Sequence, residues 1–163
     1  MIRSASPCFA AVLIALAAPS FAAGADSAHG TLVVQAEDKP LSVELKHAYV
    51  VIGPDTFEAN KTTRRLVFAA DDLRATIEAC KDVGCATMIS NDGLVLDLDD
   101  ATSPRYWAHV QPMQYSGSVD SGGFTLRTDK PERLAGTLKI ENSGVTAKIE
   151  FDAPLVKTFA PTK

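Results

Sequence analysis

Leu138-Lys139-Ile140-Glu141-Asn142-Ser143-Gly144-Val145-Thr146-Ala147-Lys148-Ile149-Glu150-Phe151-Asp152 alternates apolar and polar residues on both sides of a central Asn-Ser-Gly. A period of two is the pattern of a strand with one face in a core and the other in water, and Asn-Ser-Gly supplies turn residues. The stretch therefore predicts a β-hairpin that buries Leu138, Ile140, Val145, Ala147, Ile149 and Phe151 on one side. The same alternation recurs at residues 41–51, where Leu41, Val43, Leu45, His47, Tyr49 and Val51 form one row, which places His47 on an apolar face.

Further strands are expected at residues 31–36, 65–69, 87–90, 94–98, 106–115 and 124–128. Turn residues such as Asn91-Asp92-Gly93 and Asp129-Lys130-Pro131-Glu132 separate them. One helix is expected, capped by Asp71 or Asp72, with Leu73, Ile77 and Cys80 on one face and Gly84 ending it. Short strands with a single helix predict a mainly β chain, an antiparallel β-sandwich or a partly open barrel, since α/β folds need repeated crossovers.

Residues 1–25 carry a single charge, Arg3, followed by an apolar run from Cys8 to Ala18 and small residues up to Ala23-Gly24-Ala25. That is the pattern of an export signal, cleaved after Ala25 or after Ala22. The run is about half the roughly twenty residues a membrane-spanning helix requires, so no stable membrane anchor is expected. Residues 26–163 then form a single β domain in the periplasm or outside the cell.

The chain holds 16 basic and 20 acidic residues, and removing the signal takes away one basic residue. A mildly acidic surface without a Lys/Arg cluster predicts no nucleic-acid partner. Cleavage also removes Cys8, leaving Cys80 and Cys85 as an even pair in an oxidising compartment, where a disulfide is expected. Four intervening residues differ from the C-x-x-C spacing of thioredoxin-like redox sites.

No chemistry is selected by motif. The chain has no G-x-S-x-G and no H-E-x-x-H, so it is read as non-enzymatic and without a cofactor. His47, His109 and Met113 are the candidates for a soft-metal site, with His109 and Met113 four apart on an expected strand. Asp92, Asp97, Asp99 and Asp100 lack the EF-hand spacing and read as a solvated loop. Tyr106-Trp107 and Tyr115 concentrate aromatic surface, and Ser116 and Ser118 lie in a small-residue segment flanked by Tyr115 and Phe124. Trp107, Tyr115, Ser116 and Ser118 are accordingly the candidate binding residues.

Residues 115–124 resemble the Ser-Gly loop that small periplasmic lysozyme inhibitors place in the lysozyme cleft, although Phe124 stands nearest to where that family has a tyrosine. Leu45-Lys46-His47-Ala48-Tyr49, Gly136-Thr137-Leu138 and Phe151-Asp152-Ala153-Pro154-Leu155 together resemble a loose group of exported bacterial β-proteins. The resemblance implies a periplasmic or secreted β-sandwich with no catalytic residue to carry over. The expected function is a binding or interaction module for a periplasmic protein or small ligand. The alternatives are an inhibitor or immunity-type protein against a cell-wall hydrolase, and a metal-binding protein.

Overall fold

The structure is a computed structural model that describes residues 26–55, 58, 60–88, 92–99, 103–142 and 144–160. The export signal, residues 1–25, lies outside these.

The hairpin read from the sequence is present as β9 (Arg133–Asn142) and β10 (Val145–Thr158), paired from Val145 opposite Asn142 to Pro154 opposite Arg133. Gly144 in the turn has φ +91°, a backbone region that side-chain-bearing residues avoid. The remaining strands are β1 (Ala28–Val34), β2 (Leu41–Leu45), β3 (His47–Pro54), β4 (Thr62–Ala69), β5 (Gly93–Asp97), β6 (Arg105–Val110), β7 (Met113–Ser118) and β8 (Phe124–Lys130). They form one ten-stranded sheet in the order β2-β1-β10-β3-β4-β5-β6-β7, with β9 and then β8 branching from β10.

The chain is thus mainly β, as expected. The sheet is a single curled open one, since its ladders run on through β10, and two separate packed sheets are not what the pairing shows. The first part of β10 lies between antiparallel β1 and β9, and its end, from Leu155 to Thr158, pairs in parallel with β3. Ser27 spans the handover: its carbonyl accepts from Asp152 N, and its hydroxyl bonds both the N–H and the carbonyl of Ala48.

Curling brings the inward faces of the two arms together. Leu32, Leu138, Ile140, Ile149 and Phe151 of one arm share a buried cluster with Val50, Leu66, Phe68, Leu94, Leu96 and Tyr106 of the other. Phe68 meets Phe151 edge-on with ring centroids 5.4 Å apart, a favoured aromatic geometry. At the open side, the Tyr115 hydroxyl donates to Gln35 O, and Asn142 Nδ2 donates to Ser118 O at 3.0 Å.

Four sequence expectations need correction. Residues 41–51 form two strands that break at Lys46: Leu45 faces the first cluster, whereas Tyr49 and Val51 face a second one. Residues 106–115 also form two strands, because Pro112 has no N–H to continue a ladder and sits in the β6–β7 turn.

The single helix is two, α1 (Arg74–Ala79) and α2 (Val83–Thr87). Cys80 leaves α1 extended, and the Asp82 carboxylate starts a new helix by accepting Cys85 N at 2.8 Å. Gly84 therefore lies inside α2. Thr87 ends α2 where a strand was expected, and residues 89–90 of that expected strand lie outside the described ones. Asp72 sits just outside the α1 cap and accepts Arg74 N at 2.9 Å.

The helices cover the outward side of β3 and the end of β10. Ile77, Cys80 and Ala86 bury themselves with Tyr49, Val51, Val67, Val95 and Phe159 in the second cluster. Lys157 Nζ fastens α1 by donating to the carbonyls of Glu78 and Cys80, both at 2.6 Å. Among the described residues, no helix is long and apolar enough to cross a membrane.

Phe68→Ala removes the ring that joins the arms and should lower the unfolding free energy by about 3–5 kcal/mol. Urea denaturation measures this; a loss under about 1 kcal/mol contradicts the placement of Phe68 at the centre of the core.

Candidate functional site

The registers of β3 to β7 sort the outward face into cross-strand rows. One row runs Val51, Arg65, Asp97, Arg105, Ser118; the next runs Tyr49, Val67, Val95, Trp107, Ser116; a third runs His47, Ala69, Gly93, His109, Gln114. Direct cross-strand neighbours share a face, so each row is a line of side chains across five strands.

The middle row is apolar and changes cover along its length. Tyr49, Val67 and Val95 lie in the cluster shared with α1 and α2, while half-buried Trp107 belongs to neither apolar cluster. Beyond it, Ser116 is exposed on β7, the end strand of the sheet. Ser118 and Gln114 are also exposed, and the Arg105 guanidinium stands 5.9 Å from the centre of the Trp107 ring. Three of the four sequence candidates, Trp107, Ser116 and Ser118, thus share one outward patch. Tyr115 points the other way and packs against the inner core. Ser116 and Ser118 sit on a strand rather than in the loop suggested by residues 115–124.

The charged row is the feature that the sequence did not reveal. Asp97 and Arg65 are 3% and 4% exposed, and Asp55, Asp97 and Asp99 place carboxylate oxygens within 4.8 Å of one another. Cations meet them: Arg65 Nε at 3.4 Å from Asp97, Lys61 at 3.3 Å from Asp99, and Arg105 at 4.0 Å and 3.6 Å from Asp97 and Asp99. The Thr63 hydroxyl donates to Asp99, Asp55 accepts Glu58 N at 2.8 Å, and Arg65 Nη1 donates to Pro54 O at 3.3 Å.

Each charge in this row therefore has an opposite charge or a donor beside it, as burial requires. The arrangement joins the segments after β3 and β5 to β4 and β6. Burial pushes the Asp97 carboxyl above its usual value, against the pull of Arg65. The expectation that Asp97 belongs to a solvated loop is corrected: it ends β5 and is buried. Asp92 accepts Gln111 N at 2.9 Å, and Asp100 lies outside the described residues.

The third row separates the proposed metal ligands. His47 and His109 lie in it three strand spacings apart, about 14 Å, whereas a shared ion needs bonds near 2 Å. Met113 packs against the inner core, away from both. His47 instead stacks on Tyr49 with ring centroids 6.3 Å apart. The Tyr49 hydroxyl donates to Asp72 at 2.5 Å and accepts Leu73 N at 3.0 Å, tying β3 to the start of α1. Burial, and then the bond to Asp72, push the Tyr49 hydroxyl well above its usual range, so it stays protonated.

Cys80 and Cys85 form the expected disulfide, with Cα atoms 5.6 Å apart, and it joins the end of α1 to α2. Comparison with protein-family models, curated proteins and solved structures finds no match for this chain.

Two carboxylates should respond to pH with opposite signs. The raised folded-state value of Asp97 means that its contribution is greatest below the ordinary carboxylate range and is lost as pH rises. Asp152 is held below its usual value by the Arg133 hydrogen bonds, so its contribution is present above that range and is lost as pH falls. The stability advantage of the wild type over Asp97→Asn should shrink as pH rises above the ordinary carboxylate value of about 4, and that over Asp152→Asn should be lost as pH falls below it. Urea titrations on both sides of about pH 4 check it; trends of the same sign contradict the assignment.

Proposed function

We propose that the protein is a non-enzymatic, exported interaction module, built on a partly open barrel, whose contact face is the outward side of β6 and β7. The observation that carries this reading is Trp107. It continues an apolar row that the helices cover as far as Val95, and it stands at the uncovered end of that row beside Arg105, Ser116 and Ser118. A half-buried indole on a rigid sheet face, with hydroxyl groups and a guanidinium around it, has the composition of an interaction anchor: apolar area with little entropy to lose, edged by hydrogen-bonding groups.

Export, the cleaved signal and residence in the periplasm or outside the cell belong to the same proposal. They are supported by the sequence of residues 1–25 and by a cysteine pair at disulfide distance. The hydrolase-inhibitor reading uses the same face, since its two serines lie there, and it differs in naming a cell-wall hydrolase as the partner.

Trp107 is the single tryptophan of the chain, so its emission reports the face without labelling. A photo-cross-linker at position 116, exposed to an extract of exported proteins, should capture a partner that one at position 146, on the far arm, does not capture. The captured partner should shift the Trp107 emission and lose at least about tenfold in affinity for Trp107→Ala, roughly 1.4 kcal/mol. Equal capture at 116 and 146, or binding unaltered by Trp107→Ala, contradicts the proposal.

A further inference from the structure

The disulfide sits where an exposed cysteine, an open surface depression and a short helix meet. Cys80, at the end of α1, is 4% exposed and belongs to the second apolar cluster, whereas Cys85 in α2 is exposed. A shallow depression open to solvent lies beside them, lined by Ala75, Thr76 and Ala79 of α1, by Lys81 and Asp82, and by the disulfide itself. Small side chains on the α1 wall leave an approach to the sulfurs from solvent.

The two helices are held by different means. Lys157 fixes the α1 end through the carbonyls of Glu78 and Cys80, and Ile77 anchors it in the second cluster. With five residues, α2 is too short to persist without tertiary restraint. It is restrained by the disulfide, by the Asp82 cap, by Ala86 and by Val83. Val83 lies so close over Gly53 that a Cβ there would come within 2.8 Å of the Val83 Cβ. Neither cysteine enters the main core, and a bridge closing so short a loop stabilises by only roughly 2 kcal/mol.

We propose that Cys80–Cys85 is a thiol-exchangeable latch on α2, with Cys85 as the sulfur that is attacked. A thiolate of an external dithiol approaches from solvent over the depression and bonds to Cys85 Sγ, the Cys80–Cys85 bond breaks, and Cys80 leaves as a thiolate that takes a proton from water. The second thiol of the reductant then attacks its own sulfur in the mixed disulfide and releases Cys85, which is protonated in turn. Two electrons and two protons pass to the pair, and the dithiol becomes a cyclic disulfide. Cys80 stays with α1, α2 leaves β3, and the outward surface at Gly53 is uncovered while the main core stays closed.

The test uses the full chain under native conditions. Dithiothreitol should reduce the pair without denaturant and faster than global unfolding. With reduced glutathione and an acid quench, peptide mapping should find glutathione on Cys85 and a free thiol on Cys80. Hydrogen exchange at the amides of Cys85, Ala86 and Met88 should rise at least roughly tenfold on reduction, with Leu32 and Ile149 unchanged. The Cys80→Ser/Cys85→Ser double variant should reproduce that pattern. Reduction only at the unfolding rate, glutathione on Cys80, loss of protection throughout the sheet, or a double variant whose α2 is as protected as the oxidised protein's each overturns the proposal.

Discussion

The architecture depends on one strand that serves two arms. β10 pairs with β1 and β9 through its first part and in parallel with β3 at its end, with a register shift between Leu155 and Lys157 where the partner has changed. Pro154, which has no N–H to offer a neighbour, sits at this change, and Ser27 binds both β10 and β3 there. The ladder continues through this change of partner, and the inward faces of the two arms close on Phe68 and Phe151. The curl, the core and the outward rows all follow from that handover.

A curled sheet has an outward face as well as a core, and this chain treats that face in three ways. Helices cover the row from Tyr49 to Val95 because those side chains are apolar. The neighbouring row carries buried charge instead: Arg65 and Asp97 hold one another, and Lys61 and Arg105 neutralise Asp99. Such a network adds little net stability over apolar packing, yet removing one partner strands a buried charge, so it fixes which segments lie together. The end of the sheet, around Trp107, has neither cover, and that contrast gives the interaction reading its physical basis.

Much of the strand content was legible because alternation is a local property. The β9–β10 hairpin needed only its own residues. Lys46 could not be recognised as a break, because β3 is apolar on both faces, from Ala48 to Val51, and a strand buried on both sides has no period to reveal which face is which. The charged row was illegible for a different reason. Arg65, Asp97 and Arg105 are each unremarkable in sequence, and only the registers of β4, β5 and β6 place them side by side. The same registers separate His47 from His109 and gather Trp107 with Ser116. Candidate residues could thus be named from composition, while their association required the pairing.

Native-state hydrogen exchange at increasing denaturant tests most directly whether β10 joins the two arms into one cooperative unit. Amides of Leu32 and Ile149 in one arm, and of Val50 and Leu66 in the other, should open with a single free energy equal to that of global unfolding. Two separate opening free energies, one for each arm, would contradict the account.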